Sequence, residues 1–253
     1  MATTWMDVTT ISVLLIAFLA TFIRSTFGFG EALVAVPLLA LVMPIKTAAP
    51  LAVLLSITVA AVVVIQDWRH VHVSSAGWLL PPTFVGIPIG IWLLTIEHQG
   101  AVKAVLGLII LTFATYSIAV KTSPELKTDN KAWPLASGFI AGILGGAYGM
   151  NGPPLVVYGA MKRWTPQQFR ATLQGYFLPA SAVGMAGYWL TGLWTPAVTH
   201  YYVLTLAVTI PAIFLGRFAN QKLTSTSFLK LVYFGLAAIG VILIIQPFAK
   251  PHQ

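Results

Sequence analysis

The chain has 253 residues, 58% of them hydrophobic and 8% charged, with a formal charge of +8. A soluble domain is about 25% charged. This composition, with a mean hydropathy of +0.87, therefore excludes an ordinary water-soluble core and predicts an all-α polytopic membrane protein. The basic residues stand singly between apolar runs, where they orient membrane helices, so no nucleic-acid partner is expected. The absence of cysteine excludes disulfide and thiolate chemistry. Met1 to Thr10 holds Asp7 and no basic residue, so no cleaved signal peptide is expected.

Taken in order, Val8 to Ile23 is the first apolar run, nearly the 20 or so residues that cross a bilayer. Arg24, Ser25 and Thr26 follow, then the glycine break Phe27-Gly28-Phe29-Gly30-Glu31, then a short run from Ala32 to Met43 closed by Pro44 and Lys46. As helix, Val8 to Met43 would measure about 54 Å at about 1.5 Å per residue, too long for one crossing of a core about 30 Å thick. The expectation is a hairpin that enters, breaks and returns. Ala48 to Ile65, Gly77 to Ile96 and Ala101 to Val120 are three spans, the second holding Pro81, Pro82, Gly86, Pro88 and Gly90. After the polar linker from Lys121 to Lys131 the pattern restarts. Trp133 to Leu144 is followed by a second break, Ala147-Tyr148-Gly149-Met150-Asn151-Gly152-Pro153-Pro154, and a short run to Met161. Ala171 to Leu190, Thr199 to Phe218 and Phe228 to Ile245 are three more spans.

The two halves match in order. Pro81, Gly86 and Gly90 correspond in spacing to Pro211, Gly216 and Asn220, and Lys103 before Gly107 resembles Lys230 before Gly235. Shared order at a constant offset indicates duplication. The predicted organisation is a first transmembrane repeat over 1–120, a cytoplasmic linker over 121–132 and a second repeat over 133–253, about 8–10 membrane segments in all. With a hairpin in each half, the positive-inside rule places nine basic residues on one side (Arg69, Lys121, Lys127, Lys131, Lys162, Arg163, Arg217, Lys222 and Lys230) and three on the other (Lys46, Lys103 and Lys250). With each broken segment crossing once, the split is seven against five. The stronger bias predicts two inverted repeats with both termini periplasmic.

At the two breaks the sequence resembles the TauE/SafE family, also called the 4-toluenesulfonate uptake permease family. The carrying stretches are Phe27 to Pro37, Gly149 to Pro154, and Thr165-Pro166-Gln167-Gln168-Phe169-Arg170-Ala171-Thr172-Leu173. Glu31 before Ala32, and Arg24, depart from the family's usual residues. The resemblance implies secondary transport of small organosulfur or sulfur oxyanions, such as sulfite, sulfoacetate and related sulfonates, across the bacterial inner membrane, with export the expected direction.

Paired breaks in corresponding places of two halves point to a transporter binding site at the midplane, and alternating access would rock one repeat against the other around it. A helix N-terminus offers unpaired N–H groups and about half a positive charge to an anion. The predicted substrate-binding set is Arg24, Phe29, Gly30, Glu31, Tyr148, Met150, Asn151, Gly152 and Gln174. Pro153 and Pro154 suit a first helical turn. The alternative reading of these glycines is that they only allow close helix packing. Arg24, within the apolar zone, reads either as a clamp on the oxyanion or as the ion-pair partner of Glu31, and Glu31 is the proton-coupling candidate. Arg170 reads as an interfacial residue before it reads as a ligand. The histidines (His70, His72, His98, His200 and His252) show no metal-ligand spacing, the tryptophans fall near span ends, and no catalytic constellation, metal or cofactor is expected. A passive anion channel, or an uptake permease for another small carboxylate or sulfonate, is the alternative function. The expected partners are the anionic substrate and membrane lipid. Gly138, Gly142 and Gly146 permit tight helix contacts, within the chain or in a homodimer.

Overall fold

The computed structural model describes residues 8–67, 77–96, 99–120, 125–126, 130–164, 166–222 and 226–249. His70, His72, His98, His252 and most of the linker lie outside them, as do the side chains of Arg170, Asn220, Lys222 and Lys230. The described residues form ten helices and no strand. The first half holds α1 (Val8–Phe27), α2 (Glu31–Val42), α3 (Ile45–Asp67), α4 (Leu80–Thr95) and α5 (Gln99–Ala119). The second holds α6 (Ala132–Tyr148), α7 (Gly152–Met161), α8 (Pro166–Leu190), α9 (Pro196–Lys222) and α10 (Thr226–Ala249). Each half thus opens with two helices separated by three residues.

Glycine and proline set the boundaries. Gly28, Gly30 and Gly149 have φ of 84°, 98° and 67°, a left-handed backbone that glycine alone adopts without steric penalty, and α1 and α6 stop there. Pro81 and Pro82 sit in the first turn of α4, and Pro166 and Pro196 open α8 and α9, positions where the missing N–H has no intrahelical partner to lose. Pro166 therefore starts its helix five residues before the apolar run at Ala171. Pro37, Pro50, Pro88, Pro179 and Pro211 lie inside helices, as membrane helices allow when neighbours satisfy the freed carbonyls.

Four helices, Val8–Phe27, Ile45–Val62, Gly100–Ala119 and Pro196–Ala219, contain stretches long and apolar enough to cross a bilayer. α2, α4 and α6 are apolar but shorter. α2 and the first turns of α3 are almost entirely enclosed, whereas Leu15, Val85, Trp92, Val203 and Phe214 point outward. An apolar outer face around a buried centre is what lipid solvent demands.

Packing follows an exchange between the halves. α4 lies on α6, and α9 lies on α1; α3 faces α8, and α5 faces α10. The α4–α6 pair is parallel, because Gly138, Gly142 and Gly146 press on Leu79, Thr83 and Ile87 in the same order. A methyl group on Gly90 would stand 2.6 Å from the Ala147 nitrogen, and one on Gly216 would stand 3.2 Å from the Thr26 nitrogen and 2.8 Å from the Phe22 carbonyl. Gly216 thus holds on α1 the place that Gly90 holds on α6, rather than the place of Gly86 that the proline spacing suggested. The α5–α10 pair runs antiparallel. Phe113 meets the Tyr233 ring at 6.1 Å, a methyl on Gly240 would approach Leu111, and one on Gly107 would approach Ile244. Gly107 therefore faces Gly240.

Candidate functional site

Gly28 and Gly149 stand 121 residues apart, and residues at that same spacing pack beside the two breaks. The Gln174 side-chain amide donates to the Gly28 carbonyl at 3.2 Å, while Val53, its counterpart, packs its methyl against Gly149. Between the breaks lies a cavity lined by Arg24, Gly30 and Glu31, by Gly149, Asn151 and Gly152, and by Ser56 and its counterpart Phe177. Met150 also reaches it. The cavity measures about 20 Å³, and a single water needs at least 10–15 Å³ or so. In this state the site is nearly closed.

Its electrostatics are set by one guanidinium. Arg24 is 3% exposed and pairs directly with the carboxylate of Glu31, which is 1% exposed. The same nitrogen donates to the Ser56 hydroxyl at 2.6 Å, and the other terminal nitrogen donates to the Gln174 carbonyl oxygen at 3.0 Å. The Phe177 ring centroid lies 5.1 Å from the Arg24 central carbon, within cation–π range. α1, α2, α3 and α8 thus all hold this one side chain. Two atoms of the cluster stay unmatched: Arg24 Nε and Glu31 Oε1 are buried without a hydrogen-bond partner among the described residues. Such groups cost about 1–3 kcal/mol or more when left unmade, so they are expected at sites that receive something.

The two helix N-termini are unequal donors. α2 begins at Glu31, and its first turn keeps its amides; a first turn has no intrahelical partners for them. α7 begins Gly152-Pro153-Pro154, so two of its first three residues have no N–H at all. The prolines pre-set the turn but strip the second tip of donors, a cost to anion binding that outweighs their gift of helix geometry.

A family model described as "Sulfite exporter TauE/SafE" matches residues 13–243. The chain belongs to this family. It is 28% identical over 151 residues to the "Probable sulfite/organosulfonate exporter TauE" of Cupriavidus necator, which covers 60% of this chain and 58% of that relative. The chain therefore matches less than two thirds of that relative's length. No solved structure matches. The family is one of transporters, and with the apolar helices it makes this a multi-pass membrane protein.

Within this TauE/SafE chain the cavity gathers Arg24, Gly30, Glu31, Met150, Asn151 and Gly152 from the expected set. Gln174 acts through Arg24 and Gly28. Tyr148 and Phe29 are not brought in. The Tyr148 hydroxyl donates to the Val102 carbonyl at 3.0 Å, and Phe29 lines an apolar hollow on the other side of Gly30, with Ile23, Leu33 and Tyr233. Asn151 packs on Gly145, where a methyl group would stand 2.6 Å from its amide nitrogen, and it pairs with the Tyr176 hydroxyl. Ser56 and Phe177 went unforeseen. Ser56 follows the apolar run Ala48–Leu55 of α3, where a hydroxyl has no solvent to bond and must have an internal partner; that signal was available.

Proposed function

We propose that this TauE/SafE chain is a secondary transporter of small organosulfur or sulfur oxyanions, the class that includes sulfite, sulfoacetate and other sulfonates, in the bacterial inner membrane, with export its expected direction. The observation that carries the reading is Arg24: a guanidinium on α1 held by groups of α2, α3 and α8 in a buried centre, beside a cavity with unmatched polar atoms among the described residues. An oxyanion supplies the acceptors to which such a fork donates in pairs. Gly30, Asn151 and Gly152 close the cavity from the two breaks, and the first-turn amides of α2 add donors on Arg24's side.

The two halves are read as inverted repeats, one over 1–120 and one over 133–253, joined by a cytoplasmic linker with both termini periplasmic. Support comes from helix direction. Corresponding helices run opposite ways in inverted repeats and the same way in parallel ones, and α5 and α10 are antiparallel. A hairpin at each break gives that arrangement; a single crossing at each break would make the two helices parallel. Rocking of one repeat against the other would open the nearly closed cavity to either side.

The deciding experiment is a thermal-shift screen of the purified protein against sulfite, sulfate, thiosulfate, sulfoacetate, isethionate and taurine, followed by vesicle counterflow with the strongest stabiliser. Asn151→Ala should weaken that ligand's binding several-fold. No stabilisation by any oxyanion, with no counterflow, would refute the reading.

A further inference from the structure

We propose that Glu31 is a built-in competitor for the anion's place on Arg24, so that each anion bound obliges the protein to take up one proton at Glu31. The inference rests on the anion-transport reading above and adds a co-substrate to it. Three observations carry it. First, Glu31 already satisfies Arg24 as an oxyanion would: its carboxylate is paired with the guanidinium inside the cavity that both line. Second, the remaining space, about 20 Å³, is room for one water, so an oxyanion reaches Arg24 only when the Glu31 carboxylate withdraws. Third, the two partners are not equally held. Arg24 is fixed by Ser56, Gln174 and the Phe177 ring. Glu31 stands at the first position of a helix that follows Gly28 and Gly30, both with positive φ; beyond Arg24 only the Thr21 hydroxyl approaches its carboxylate, and its Oε1 has no well-formed hydrogen bond among the described residues. The carboxylate is the movable member.

Among the described residues that line the cavity, a displaced carboxylate finds no second cation. Arg24 is the one charged side chain lining the cavity with it. α3, α7 and α8 bring Ser56, Asn151 and Gln174, none of them titratable near neutral pH. On α6 the Tyr148 hydroxyl is turned to Val102, on α10 Tyr233 lines the hollow behind Gly30, and α5 carries Lys103 with a partner of its own. A buried charge without a partner neutralises instead of staying ionised. The exchange therefore balances as follows: an anion enters, the Arg24–Glu31 pair opens, the anion pairs with Arg24, and a proton from the same side binds Glu31. On release the proton leaves and the pair reforms. A monoanion and its proton move together, so no net charge crosses and the membrane potential neither drives nor retards the step; export then runs down the anion's own gradient, against any inward proton gradient.

The probe is isethionate, a monoanion with no group that titrates near neutral pH, so any proton movement belongs to the protein. In proteoliposomes with a trapped pH dye, the wild type should move about one proton with each isethionate, in the same direction, at a rate unaffected by a potassium–valinomycin potential. Binding should weaken as pH rises, because higher pH keeps Glu31 ionised on Arg24. Glu31→Gln should abolish the proton signal, flatten the pH profile and tighten isethionate binding roughly tenfold, since the apparent Kd is the intrinsic value divided by the fraction of molecules in which the site is free. Should that variant fail to purify, Glu31→Asp keeps the charge on a shorter arm and should keep the proton signal, and the wild-type ratio stands without any variant. Counterflow without proton movement, or weaker binding in Glu31→Gln, overturns the exchange and leaves anion transport intact. No isethionate counterflow in the wild type overturns both.

Discussion

Removing Arg24 while leaving Glu31 tests how far this centre depends on one charge. In Arg24→Leu the Glu31 carboxylate, 1% exposed, loses its cation, and the Ser56 hydroxyl and Gln174 carbonyl lose a donor. Breaking a buried pair from one side costs about 3–5 kcal/mol. For a chain of this length each kcal/mol moves the midpoint by roughly 2–4 °C on the soluble-protein scale, so the fall should be roughly 6–20 °C. Adding Glu31→Gln removes the stranded charge. The double variant should then recover part of the loss, keeping a deficit of about 1–3 kcal/mol for each hydrogen-bond partner that stays orphaned. Intrinsic tryptophan fluorescence during heating in detergent reads all three proteins. The deficit of the single variant should also shrink as pH falls, because protonating Glu31 removes the unpaired charge. If the double variant is as unstable as the single one, or worse, the charge of Glu31 is not what makes Arg24 necessary, and the reasoning fails.

Two other outcomes are expected. Gly146→Ala should destabilise the protein by about 1–3 kcal/mol or more, because its methyl would lie 2.8 Å from the Ile91 nitrogen and still closer to the Ile87 carbonyl; Gly184→Ala, with nothing within 4 Å, should be neutral or slightly stabilising, and equal effects in a melting assay would remove the case for close α4–α6 packing. A cysteine placed at Lys127, in this cysteine-free chain, should resist an impermeant thiol reagent added to intact cells and react after lysis; ready labelling from outside would reverse the assigned topology.

Much of this architecture was legible because lipid leaves the backbone few choices. Val8–Phe27 and Gly100–Ala119 could be read from apolar length alone, and both breaks were visible as glycine clusters that no continuous membrane helix would carry. The Arg24–Glu31 pair was legible too, as one of two readings of a cation and an acid seven residues apart. Side-chain direction was not. Tyr148 and Met150 flank the same glycine; one turns to the Val102 carbonyl and the other into the cavity, and only the φ of Gly149 decides which. Ser56 and Phe177 lay more than twenty residues from either break, and a partner brought in by tertiary packing leaves no local trace. The matching of Gly216 to Gly86 failed for a related reason: four residues are one helical turn, so a slip of one turn keeps the same face and nearly the same pattern.

The correspondence at a spacing of 121 residues has one more implication. Arg24 corresponds to Gly145, Glu31 to Gly152, and Ser56 to Phe177. On the inverted-repeat reading, two separate, identical subunits related by a two-fold axis could not make those choices independently. They would face guanidinium with guanidinium across a few ångströms of buried interior, or have none. Two copies tethered in one polypeptide would escape that constraint, so a lone cation can stand on one side of the cavity with Gly152 and Phe177 on the other.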